Sequence, residues 1–247
     1  MLVRNPVTPP GYERLPGVVP IVHAPRMERS AANVRSTLET GAGALSEVLV
    51  VEPPELEAML ISDEDWEQAP RENTYTYPPG LPYFTRSVHP PALVLPTTLS
   101  PTFQPQTKAT YPLVVWHELA HAFLLQKEVV RTPAWLREFV SQASAAVIAR
   151  RVGLALAEHL SQIDRGPGFT IRALRGHVDA EEQMAFQNLL LLFGVAALEE
   201  FGEGFLERLV HAMWEETNTV DEERAEELLA NALGSGGRTW LRSRPEF

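Results

Sequence analysis

The sequence predicts an α+β fold, with a small sheet towards the front of the chain and a mainly helical remainder. Two contrasts predict it. Up to Lys108 the apolar residues come in short runs, at 56–62, 83–86 and 92–95, separated by proline and turn residues, which is the punctuation of strands. After Lys108 they recur at three- and four-residue intervals over long stretches that begin and end at capping residues.

Residues 1–25 carry six prolines (6, 9, 10, 16, 20 and 25), which forbids regular helix and predicts an extended arm over the body. Residues 26–247 are expected to form one domain, with a helix and small sheet over 26–109 and a helical part over 110–247. The first helix is predicted over 27–48 from Ala31, Val34, Leu38, Leu45 and Val48, with Gly41 and Gly43 weakening its middle. Strands follow at 56–62, 83–86 and 92–95, and 64–67 is a turn or helical turn. Thr110 is placed to cap a helix running to about Lys127, with Pro112 tolerated in its first turn. Thr132-Pro133 marks a second start, with Thr132 as cap and Pro133 at the first position, closed by Arg150-Arg151 and Gly153. A short helical piece is expected at 154–163 and a loop at Gly166-Pro167-Gly168. Asp179 and Glu182 then open a strongly apolar helix that ends at Phe201 before Gly202. Helices over 204–216 and 220–233, the second ending at Gly234, complete the chain.

At 247 residues the chain can bury a substantial core, and its 45% hydrophobic and 21% charged content is globular. No run approaches 18 uninterrupted apolar residues, so no membrane partner is expected. A net charge of −11 disfavours nucleic acid, because neutralising phosphates needs a basic face. The opening Met1-Leu2-Val3-Arg4-Asn5-Pro6 has no apolar signal core, which leads to the expectation of a cytoplasmic protein. The absence of cysteine excludes thiol nucleophiles and disulfides and leaves His, Asp and Glu as the strong metal ligands.

Those ligands come together at Val115-Trp116-His117-Glu118-Leu119-Ala120-His121, an H-E-x-x-H pattern inside a helical stretch. Residues four apart lie one turn apart on a helix, so His117 and His121 can face one metal ion. Glu118 adjoins the first of them, where it can reach a water without itself binding the metal. A catalytic zinc needs a third protein ligand and one open position. Glu138, in Pro133-Ala134-Trp135-Leu136-Arg137-Glu138-Phe139, lies in the first half of the next helix, and a helix hairpin can return it to the histidines.

His-Glu-Leu-Ala-His followed by Pro-x-Trp-Leu-x-Glu resembles the gluzincin metallopeptidases of the thermolysin-like clan, particularly the small single-domain members (minigluzincins). The resemblance is specific over 110–145 and looser over 182–234. It implies a zincin-like fold, zinc as cofactor, Glu138 as the third ligand beside His117 and His121, Glu118 as general base and a peptide or protein as substrate. It also implies a downstream Tyr or His that steadies the oxyanion. All five tyrosines precede the motif, which leaves His159, His177 and His211, and of these His177 is taken as the candidate because it follows a loop. Two departures stand out. Phe139 replaces the small residue that usually follows the glutamate. Gln142, one turn beyond Glu138, stands where some relatives use an acid and could support a ligand histidine. The leading expectation is a zinc peptidase, and the alternative is a zinc-binding protein of the same fold that serves as a scaffold without turnover. Oligomeric state and substrate specificity leave no mark on the sequence.

Overall fold

In the computed structural model, residues 8–71, 78–164, 170–173 and 180–247 are described. Five strands form one sheet: β1 (Glu13–Leu15), β2 (Ile21–His23), β3 (Glu57–Ile61), β4 (Tyr83–Thr85) and β5 (Ala92–Pro96), in the order β1-β2-β3-β5-β4. β2, β3 and β5 run parallel, while β1 and β4 lie antiparallel at the two edges. The helices are α1 (Glu28–Leu49), α2 (Thr110–Leu124), α3 (Ala134–Arg151), α4 (Leu156–Ser161), α5 (Ala180–Phe201), α6 (Gly204–Glu215), α7 (Glu222–Leu233) and α8 (Gly237–Arg242).

The central strands read as continuous apolar runs because both sheet faces are covered. Ile21, Ala58, Leu60, Leu93 and Leu95 face the helical core. Val22, Met59, Ile61, Tyr83 and Val94 face the other way and close over Trp66. The alternation follows the two-residue period of a strand.

Three expectations need correction. The segment 1–25 is not simply an arm, since it supplies β1 and β2, with Pro16 and Pro20 confined to the link between them. Thr110 does not cap α2. Its Oγ1 donates to the Pro105 carbonyl at 2.6 Å and accepts from the Thr107 N–H at 2.9 Å, bracing the approach loop instead. Thr132 does not cap α3 either, because its hydroxyl is buried without a hydrogen-bond partner among the described residues. The glycine stops at 202 and 234 do have positive φ, +70° and +89°, as helix termination by glycine requires. Asp179, expected to start α5, and the loop at 166–168 lie outside the described residues.

α2 and α3 form the helix hairpin that carries the motif. α1 packs against α2 from one side and α5 against α3 from the other. Residues 182–201 of α5 are long and apolar enough to cross a membrane by composition, but half of this stretch is buried inside the fold. Its Gly194 brings it within van der Waals reach of Ala143 on α3.

Candidate metal centre

α2 is fixed by its far face. Trp116 is buried and donates its indole N–H to the Thr37 carbonyl at 2.9 Å, which sets the rotation of the helix. That rotation turns His117 and His121 together towards α3, their rings edge-to-face with centroids 4.7 Å apart. α3 is fixed in the same manner by Trp135, whose indole donates to Glu222 at 2.7 Å, and by Phe139, which packs against Phe193 and Phe205. Phe139 thus has a physical reason. The position after Glu138 points into the core between α5 and α6, and a large ring fills it.

His117, His121 and Glu138 come together, with one ligand atom from each within 4.8 Å of the others. His121 Nε2 lies 3.1 Å from His117 Nε2. Glu138 Oε2 is 3.3 Å from His117 Nε2, and its Oε1 is 3.6 Å from His121 Nε2. Ligand atoms about 2.0–2.1 Å from a tetrahedral zinc stand about 3.3 Å apart, so the spacing suits that ion. The donor set agrees: two imidazole nitrogens and a carboxylate oxygen that face one another need a proton or a cation between them.

The electrostatics point the same way. Burial, the largest effect on Glu138, opposes its charge. The attraction of His121 and hydrogen bonds from both histidines outweigh it and hold the carboxyl well below its ordinary range. Burial likewise disfavours a charged His121, yet Glu138 and Glu118 raise its pKa. The metal-free site therefore keeps a carboxylate and favours a positive charge beside it. For Glu118 burial dominates and raises the pKa, with Glu138 adding to the shift. His117, His121 and a hydrogen bond from the Phe84 backbone pull it back down. This last contact ties Glu118 to β4, the edge strand.

Ser141, fully buried on α3, hydrogen-bonds His121 Nδ1 at 3.1 Å. If Nε2 serves as ligand atom, Nδ1 carries the proton and donates to the serine. His117 Nδ1 is buried with no hydrogen-bond partner among the described residues. Gln142 was expected to support a histidine. It reaches Gln187 on α5 instead, donating to its Oε1 at 2.6 Å. Neither Ser141 nor Gln187 was singled out from the sequence. Ser141 could have been found, since it lies three residues beyond Glu138 on the same helix. Gln187 had no local signal.

Of the three oxyanion candidates, the two that are described make their hydrogen bonds elsewhere. His177 lies outside the described residues. His159 is buried and bonds Thr107 at 2.9 Å, and His211 bonds the Leu49 carbonyl at 3.0 Å. Tyr111, the tyrosine nearest the motif in sequence, donates to the Pro96 carbonyl.

A sheet with an antiparallel edge strand lies beside a two-helix His-His-Glu cluster in an α+β fold, and solved structures share that fold. The chain is similar to native leukotriene A4 hydrolase from Saccharomyces cerevisiae, with a TM-score of 0.56, 12% identity, and coverage of 95% of this chain and 38% of that one. It is similar also to the yeast LTA4 hydrolase in complex with bestatin, with a TM-score of 0.55, 11% identity, and coverage of 91% and 37%. The chain spans less than two-fifths of these proteins, and at such identity the likeness is one of fold. No family model matches the sequence, and no curated protein does.

Proposed function

We propose that this chain is a zinc-dependent peptide hydrolase in which His117, His121 and Glu138 hold the metal and Glu118 is the general base. The observation that carries the reading is the convergence of two Nε2 atoms and a carboxylate at zinc-ligand spacing, with a second, partly exposed carboxylate adjoining. Bound zinc would supply a Lewis acid for the scissile carbonyl and lower the pKa of a water to about 7. Glu118 takes the proton of the attacking water and delivers it to the leaving amine. Among the described residues β4 is the edge strand of the sheet, and Phe84 on it lies against Glu118, so an extended peptide laid along β4 would run past the base.

The test is metal content followed by turnover. Protein purified without chelators is expected to carry zinc, measured by atomic emission, and to cleave members of a broad peptide library. His117→Ala and Glu138→Ala are expected to lose the metal, and unchanged stoichiometry in both refutes the site.

One observation favours a second reading, a zinc-binding scaffold without turnover. Among the described residues, the downstream histidines His159 and His211 are both engaged in hydrogen bonds away from the site. Full zinc occupancy with no cleavage of the library selects this reading.

A further inference from the structure

Glu138 is held by more than the two histidines. Its Oε2 accepts a hydrogen bond from Gln187 Nε2 at 2.7 Å, and Gln187 Oε1 accepts one from Gln142 Nε2 at 2.6 Å. The direction is chemically forced. A carboxylate only accepts, so the amide must turn its nitrogen towards Glu138, and its oxygen then needs a donor, which Gln142 provides. Gln187 is 8% exposed, so both ends of a buried amide are paired and its rotamer is fixed. The path leaves α3 at Gln142, crosses to α5 and returns to α3 one turn away at Glu138.

The choice of an amide matters. A lysine or arginine at this position would neutralise Glu138 and compete with a cation for it. An acid would repel it. A neutral donor steadies one carboxylate oxygen while leaving the negative charge for a metal.

Resting on the metal centre proposed above, we infer that Gln187, anchored by Gln142, is a positioning residue that presets the carboxylate of Glu138 for metal binding. Removing partners of this kind typically costs about 10–100-fold in metal affinity. Gln187→Met keeps the length and volume of the side chain but removes the donor. Zinc affinity is measured by competition with a chromogenic chelator, together with the thermal midpoint of the zinc-free protein. A Kd weakened about 10–100-fold supports the inference. A lowered zinc-free midpoint with the wild-type Kd would show a merely structural amide and overturns it. Gln142→Met gives an independent arm and suffices if the first variant does not fold. It is expected to weaken zinc less than Gln187→Met does, and the double variant no more than Gln187→Met alone. Wild-type affinity in Gln142→Met, or two effects that add fully, overturns the relay. Wild-type protein that binds no zinc removes the metal centre itself, and so fails differently from a Gln187→Met variant that binds zinc like the wild type.

Discussion

Glu118 is the residue on which the proposed chemistry turns, and its neighbours pull it in opposite directions. Burial and Glu138 favour its neutral form, while two histidines and the Phe84 backbone favour its charge. Replacing it by glutamine keeps size and hydrogen bonding but removes the proton acceptor. Glu118→Gln is expected to lower peptide hydrolysis by at least about 100-fold, the scale of general acid–base catalysis, with zinc content unchanged by atomic emission. Retained activity would reject the assignment. The same scale explains which site residues could be read in advance. His117, Glu118, His121 and Glu138 lie within 22 residues on two helices: helical spacing pairs the histidines, a hairpin can return Glu138 to them, and the resemblance of Pro-x-Trp-Leu-x-Glu singles it out. Gln187 lies 49 residues beyond Glu138, and nothing local distinguishes a glutamine that enters the site from one facing solvent. Ser141 lies one turn beyond Glu138, a position open to a helical-spacing argument, but it is one of several small residues on a helix that reads as core.

At the level of elements, Gly41 shows how a local rule can mislead. It weakens α1 as an isolated helix, yet a Cβ there would lie 2.6 Å from the Trp116 ring. The glycine is what lets α1 approach the motif helix closely enough for Trp116 to reach Thr37. Gly41→Ala is therefore expected to destabilise the fold by about 1–3 kcal/mol, as overpacking does, despite alanine's better helix propensity. Urea unfolding measures it, and a more stable variant would refute the packing argument. The C-terminus of α1 behaves in the opposite sense. Val50 closes it at φ 55°, a left-handed conformation that suits a β-branched residue poorly, and its side chain is exposed. Val50→Gly removes that strain, less the chain entropy of glycine, for an expected gain of about 1 kcal/mol by the same measurement. The longer elements were legible because their apolar periodicity is strong. β1 and β2 were not: each is three residues long and flanked by prolines, and only pairing with β3 and with each other makes them strands.

For the whole molecule, the candidate centre joins two helices that the core already holds, so metal is expected to stabilise an existing fold. With zinc at about 100 times its Kd, linkage adds about 2.7 kcal/mol. In a chain of this size that raises Tm by roughly 5–10 °C. Calorimetry with and without a chelator checks this; equal Tm values would mean that no ion binds the native state preferentially. The aromatic contacts of Phe139 carry a further consequence, for how separable the site is. The histidines and Glu138 fit within a peptide of residues 110–151, which invites the idea of a portable module. Yet Phe139 is enclosed by Phe193 of α5 and Phe205 of α6, and Ala143 meets Gly194. Cut from its context, the hairpin would expose that surface and lose the partners that angle α3 towards α2. The binding motif is contiguous in sequence but not autonomous in energy, so grafting it elsewhere means transplanting the helices behind it as well.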